Sequence, residues 1–353
     1  MALKKLAKIR TAWLVLNYAC TNRCLGCYAQ SSQFVNQEMP YEDAITIMPI
    51  IKDMGVLDCL AIGGEPTLYK HLINLIVAAK NLGIDFKIVT NGRNLSDVAY
   101  IKALKDAGLK HASISIEGST AQTHNLITRT PSFDQVMKGI DNCLFLDVSF
   151  NTLLTISKVN FAEIVDLAKM LHEIGVVNIL YNIGLPSPES SQNEVDDFIL
   201  NPIEVANVIS EAYIEFKNLG IKAKFFATIP LCLFDDNLLK EMIGADYISN
   251  GAHCHIFYGT GIVFEPKGNV LPCTHFVGHP LFNWHSIGIK SSDDFSDVWY
   301  GKQGIHGDFK EAIWKYPSQK CVDCQHWGRC VGGCPFLWTH FNPNQIINSK
   351  EVS

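Results

Sequence analysis

The sequence predicts an α/β chain: a partial barrel of six β-then-α units over residues 1–225, a bridging segment at 226–250, and a small cysteine-rich domain at 251–353. Three observations carry this. Short apolar runs alternate with amphipathic helical patterns from residue 13 to residue 182, which implies a parallel sheet with right-handed crossovers. Most of the 12 cysteines fall in two groups near the two ends. Between apolar flanks, Pro266-Lys267-Gly268-Asn269 reads as a β-hairpin turn inside the second group.

Composition narrows the class. A chain of 353 residues, 48% hydrophobic, has ample core. A net charge of −6 gives no electrostatic case for nucleic acid or an anionic membrane. No apolar run is long enough to span a bilayer. Residues 4–20 mimic a lipoprotein signal, but Asn17 breaks the apolar run, and a lipidated Cys20 leaves Cys24 and Cys27 unexplained. Cysteines in this number predict a reducing, cytoplasmic setting and metal in place of disulfides.

Taken in order, the predicted strands are 13–16, 59–62, 86–90, 112–116, 148–155 and 177–182. The helical patterns between them are 41–53, 72–82, 97–107, 132–145 and 161–174. Stops such as Gly108 and Gly175 close several of them. In such sheets ligands sit beyond the carboxyl ends of the strands. There lies Cys20-Thr21-Asn22-Arg23-Cys24-Leu25-Gly26-Cys27. Three thiolates this close suit three corners of a cubane iron–sulfur cluster, leaving one iron open. Cys-x-x-Cys alone also serves zinc or redox chemistry.

After the second strand comes Gly63-Gly64-Glu65-Pro66, where the glycines permit close backbone approach. The third strand ends in Thr90-Asn91-Gly92. On the fourth, Ser113, Ser115 and Glu117 share one face by alternation. In a barrel that face is interior, so Glu117 either lines a site or pairs with a lysine or arginine. His124, Asn125 and Arg129 follow in a loop, then Asn151 and Thr152 on the fifth strand. Residues 186–197 read as a polar, proline-bearing loop, long enough for a lid or substrate contact. Asn201-Pro202 opens a helix to about residue 219, and a strand at 223–229 leads to Cys232. That isolated thiol is either a core cysteine or a hydrogen-atom donor facing the cavity. Cys59 and Cys143 read as core. At the far end stand Cys254, Cys273, and the ladder Cys321, Cys324, Cys330, Cys334.

The cysteine loop resembles that of the radical S-adenosylmethionine (SAM) superfamily, and the C-terminal array resembles its SPASM extension. Nine of the 12 cysteines are in register. The resemblance implies a partial (β/α)6 TIM-like barrel, a [4Fe–4S] cluster on Cys20, Cys24 and Cys27, and SAM on its open iron. It places Gly63, Gly64, Glu65 and Pro66 at the SAM amino group, Arg129 at its carboxylate, and Asn91, Ser115 and Asn151 on the cofactor, with Glu117 on the substrate side. Relatives carry an aromatic just before the third cysteine; here Gly26 stands there, and Tyr28 is the candidate shield. Cys254, Cys273 and Cys334 would serve one auxiliary [4Fe–4S] cluster, and Cys321, Cys324 and Cys330 another. Neither set has an obvious fourth thiolate: His253, His255 and His275 lie near the first, and the second would need His340, an asparagine, a carboxylate or water, or be absent. Structural zinc is the alternative at this end.

The implied chemistry is reductive SAM cleavage to a 5′-deoxyadenosyl radical, with flavodoxin or ferredoxin as electron donor. The leading substrate is a ribosomally synthesised peptide receiving a crosslink or an epimerised residue. Only 19 residues precede Cys20, so such an enzyme would bind its leader elsewhere or use a separate recognition protein. The alternatives are dehydrogenation or epimerisation of a small molecule such as an aminocyclitol or sugar, and sulfatase-type protein maturation.

Overall fold

Alternation in the sequence becomes alternation across a sheet. In the computed structural model, which describes residues 8–29, 36–188, 190–248, 254–300, 304–313 and 315–348, the strands and helices of the first half follow in turn. They are β1 (Thr11–Asn17), α1 (Tyr41–Asp53), β2 (Asp58–Gly63), α2 (Leu72–Asn81), β3 (Asp85–Thr90), α3 (Val98–Ala107) and β4 (His111–Ser115). Next come α4 (Ala121–Thr128), α5 (Phe133–Phe145), β5 (Phe150–Ile156), α6 (Ile164–Glu173) and β6 (Ile179–Ile183). The chain continues through α7 (Gln192–Phe198), α8 (Pro202–Leu219), β7 (Ala223–Phe226) and α9 (Asp236–Gly244). The cysteine-rich end supplies β8 (Gly261–Phe264), β9 (Asn269–Leu271) and β10 (Phe282–Asn283).

The sheet order is β10-β9-β8-β1-β2-β3-β4-β5-β6-β7. Strands β1 to β7 are parallel neighbours, as the β-then-α pattern predicts. The sheet is open, with β7 and β10 at its edges. It extends beyond the six predicted units, because β8 pairs parallel with β1, Thr11 opposite Gly261 and Leu14 opposite Phe264. The antiparallel hairpin expected around Pro266–Gly268 forms between β8 and β9.

One face of the sheet meets the helices in the main core. There Leu14, Ala61, Phe86, Ile88, Ala112 and Ile114 pack with helical residues such as Ile47, Leu75, Leu104 and Ile140. Each such side chain contributes about 1.5–3 kcal/mol by leaving water. The opposite face of β1 and β2 turns inward, where Val15 and Ile62 cluster with Tyr18, Val263, Leu271 and Val277. The cysteine-rich end is therefore packed into the mouth of the barrel.

The 186–197 segment departs from its reading as a loop: residues Gln192–Phe198 are helical. Ser191 accepts from the Glu194 N–H, and the Glu194 carboxylate accepts from the Ser191 N–H at 2.8 Å, a reciprocal cap that starts a short helix. The Ser-x-x-Glu signal lay inside a polar stretch and was outweighed there by Pro186 and Pro188. The helix buries Val195 and Phe198 against Ile127, with Leu25 of the cysteine loop packed on them.

One contact ties β1 to the hairpin. The Tyr18 hydroxyl donates to Glu265 Oε1, and both residues are buried. Burial is the main cause that raises the pKa of each. Tyr18→Phe should lower stability by about 1–3 kcal/mol, since the buried carboxylate loses a donor. A urea midpoint unchanged from wild type would contradict this linkage.

Candidate active site

The cysteine loop leaves the carboxyl end of β1 and is held from both sides. The Arg23 and Leu25 N–H groups donate to the Thr128 and Ile127 carbonyls at the end of α4, at 3.0 and 2.8 Å. From β3, Asn91 Nδ2 donates to Thr21 Oγ1 at 3.0 Å and lies 3.8 Å from Cys20 Sγ. Arg93, which the sequence reading did not single out, donates from Nη1 to the Thr21 carbonyl at 2.5 Å and to Asn22 Oδ1 at 3.3 Å. Gln135 of α5 braces its Nε at 2.7 Å. The Asn22 N–H points at Cys20 Sγ, 3.4 Å away.

The glycine pair makes its close approach to the chain itself. Gly63 has φ +136°, and a Cβ there would lie 2.1 Å from the Asn17 carbonyl oxygen; one on Gly64 would lie 2.3 Å from that of Ala19. The Gly64 and Glu65 N–H groups donate to these two carbonyls at 2.7 Å each. Glu65 then becomes a hub. Its Oε1 accepts from Thr67 N, Thr67 Oγ1 and Thr90 Oγ1 at 3.0, 2.6 and 2.7 Å, and its Oε2 accepts from Asn91 N at 2.7 Å. Burial raises its pKa against the pull of these donors. Pro66 starts the short turn that follows.

On β4, Ser113 and His111 donate toward Asn151 Oδ1, each at 2.8 Å. Asn151 is thus engaged deep in the barrel, while Ser115 lies at the strand's carboxyl end. Glu117 follows Ser115 and accepts from Thr155 N at 3.3 Å. Among the described residues it forms no ion pair, so the lysine or arginine partner weighed from the sequence is not there. Burial pushes its carboxyl up to about 7, and its charge in turn acts on Cys24. Arg129 is exposed, at φ 52°, directly after the carbonyls that grip the cysteine loop.

Cys20, Cys24 and Cys27 are half-buried, unpaired by disulfide and within electrostatic reach of one another. Burial first, then neighbouring charge, raises Cys20 to about 11 and Cys24 well above its usual range. Buried thiols this close cannot all ionise without a cation, and N–H groups aimed at sulfur are what a cluster-bound thiolate needs. Among the described residues no three His, Cys, Asp or Glu side chains converge on a single ion position; a cubane spreads its thiolates over separate irons. The donor set fits such a cluster.

Gly26 has φ +62°, and a Cβ on it would lie 2.4 Å from the Phe198 ring. An aromatic side chain has no room there, because Phe198 of α7 fills the space. Tyr28 instead stacks on His275, ring centroids 5.1 Å apart. His275 Nδ1 lies 4.0 Å from Cys273 Sγ, and burial lowers its pKa to about 4. Tyr28, raised by burial, feels both Cys27 and Cys273. The stacked pair therefore bridges the two thiol groups.

Cys254, Cys273 and Cys334 line one cavity of about 270 Å³, together with Asn182, Phe226 and Thr228 from the carboxyl ends of β6 and β7. Cys321, Cys324 and Cys330 form a separate set. Cys232 lies beside that set, exposed and outside the cavity lining. His255, which also lines that cavity, meets Thr260 Oγ1 through Nδ1 at 2.9 Å, and His340 Nδ1 meets Gln192 Oε1 at 3.2 Å. His253 lies outside the described residues. Cys59 and Cys143 are buried core residues.

Two expectations follow. Glu65→Ala strands four donors and should cost about 2–4 kcal/mol in urea unfolding; a loss below 1 kcal/mol would deny the hub role. His124 accepts from the Glu117 N–H at its Nδ1 and faces Ser132 through Nε2. Burial lowers it from 6.5 to about 4, so between those values the unfolded chain binds more protons. Stability therefore falls as pH drops from about 6.5 to about 4, by up to about 3 kcal/mol. His124→Gln should flatten this slope, with the remainder owed to groups such as His306. Equal slopes in the two proteins would refute the assignment.

Known proteins resemble this chain in part of its sequence and in fold. Residues 14–171 match the Radical SAM superfamily. A probable GTP 3′,8-cyclase of Saccharolobus islandicus is 28% identical over 180 residues, 49% of this chain and 57% of that protein. One from Pyrococcus abyssi is 25% identical over 239 residues, 67% and 77% of the two chains. The chain thus spans little more than half the length of the first of these relatives. Among solved structures, Streptococcus suis SuiB bound to precursor peptide SuiA superposes with TM-score 0.72 at 17% identity, covering 96% of this chain and 75% of that one. Native anSMEcpe with bound AdoMet and Kp18Cys peptide gives 0.69 at 17%, covering 97% and 98%. At these identities the likeness is one of fold, a mostly parallel α/β partial barrel. This chain carries a radical SAM domain across residues 14–171.

Proposed function

We propose that the chain modifies a peptide, with a [4Fe–4S] cluster on Cys20, Cys24 and Cys27, SAM on the remaining iron, and auxiliary iron–sulfur centres on the C-terminal cysteines. The observation that carries the reading is the thiol-lined cavity at the carboxyl ends of β6 and β7, joined to the cysteine loop by the Tyr28–His275 stack. When bound, these groups supply reductive cleavage of SAM to a 5′-deoxyadenosyl radical, hydrogen abstraction, and an acceptor for one further electron. The protein's own share is positioning. Glu65, Asn91 and Arg93 fix the thiol loop, Phe198 covers it, and Glu117 presents a carboxyl able to hold or release a proton near neutral pH.

The cavity of about 270 Å³ that would hold the centre on Cys254, Cys273 and Cys334 is also walled by Trp13, Leu185, Phe226 and Phe336, apolar surface suited to a peptide side chain next to that centre. SuiB and anSMEcpe, similar in fold, are seen with peptides bound. A small-molecule substrate is the second reading, favoured by the sequence likeness to probable GTP 3′,8-cyclases. Against a nucleoside triphosphate, no lysine or arginine is among the lining residues described, and phosphates need such charge. Flavodoxin or ferredoxin would supply the electron.

The test is anaerobic turnover with reductant and SAM. Cys24→Ala should abolish 5′-deoxyadenosine formation; formation at the wild-type rate would refute the cluster assignment. A peptide product lighter by two hydrogens would mark a crosslink or dehydrogenation, and deuterium from heavy water at otherwise unchanged mass an epimerisation. Turnover of GTP with no peptide substrate accepted would overturn the peptide reading.

A further inference from the structure

Cys321, Cys324 and Cys330 of the ladder form a set of three thiols. We propose that Cys232, on the turn after β7, is the fourth thiolate of the iron–sulfur centre held by Cys321, Cys324 and Cys330. The inference rests on the auxiliary-cluster reading above and completes one of its sites.

The backbone beside Cys232 already touches the set. The Leu231 N–H donates to Cys330 Sγ at 3.2 Å. Cys232 is the middle residue of the one-turn helix Leu231–Leu233. Its neighbours Leu231 and Leu233 are buried, at 4% and 9% exposure, whereas Cys232 is exposed. The two leucines anchor the turn in the core and leave the thiol on the outer side. The ladder is laced to the same strand end. The Cys334 N–H donates to the Thr228 carbonyl at 2.7 Å. A Cβ on Gly333, at φ +84°, would meet Pro230 Cδ at 3.0 Å and Thr228 O at 3.1 Å. Glycine is what allows the two segments to lie this close.

Charge agrees with position. The side chains within electrostatic reach of Cys232 include Cys330, Cys321 and Cys324. His340, another candidate ligand, turns its Nδ1 to Gln192 of α7 at 3.2 Å. Cys232 lies outside the lining of the cavity that holds Cys254, Cys273 and Cys334, which separates it from the other auxiliary set.

The experiment uses the full chain carrying Cys20→Ala, Cys24→Ala and Cys27→Ala, reconstituted anaerobically so that only auxiliary centres remain. Cys232→Ala and Cys232→Ser are added to it singly. Cys232→Ala should lose a single iron from one centre and show a three-iron EPR signal on mild oxidation. Cys232→Ser, nearly isosteric at an exposed site, should keep the fold by circular dichroism and shift that centre's midpoint potential. Iron count, EPR spectrum and potential all unchanged in both variants, with auxiliary iron present, would overturn this proposal alone. Zinc without acid-labile sulfide in the parent chain would overturn it together with the auxiliary-cluster reading.

Discussion

A single buried carboxylate sets the geometry on which the site depends. Glu65, 1% exposed, stands immediately after the glycine pair and takes four hydrogen bonds from Thr67, Thr90 and Asn91. A carboxylate in that position would be costly without those donors. With them, it locks the turn after β2 to the loop after β3. Asn91 passes the constraint to Thr21 and Cys20, and Arg93 passes it to the next peptide. The thiol loop is therefore rigid because of a residue that need not touch any ligand with its side chain.

The barrel interior then joins the two ends of the chain. Strand β8 enters the sheet beside β1, and Tyr18 clasps Glu265 of the following turn. These contacts bring Cys273 and His275 to the inner face of β1, where Tyr28 stacks on His275. Two thiol groups far apart in sequence come to share one aromatic contact. The bridging segment does the same on the opposite side, carrying Thr228 to Cys334 and Leu231 to Cys330.

Gly26 illustrates how a local departure is absorbed elsewhere. Its left-handed backbone leaves no direction for a large side chain, and Phe198 arrives from α7 to fill the volume. The reciprocal Ser191–Glu194 cap is what brings that ring into place. A motif position and a helix some 170 residues later thus form one packing unit.

Local periodicity was enough to read the sheet and its helices: α1 spans the predicted residues 41–53, and the six predicted strands all appear, shifted by no more than two residues at their ends. Near-neighbour chemistry was likewise legible, since cysteines three and two residues apart must meet whatever the fold. The pairing of β8 with β1, the Tyr28–His275 stack, the role of Arg93 and the position of Cys232 were not. Each joins segments whose separation along the chain carries no periodic signal, and each is decided by which strand edge remains open once the others have paired. By itself the sequence determined elements and the first thiol loop, because hydrophobic alternation and short loops are local; where the C-terminal cysteine segments lie against the barrel was decided by the order of strands in the sheet.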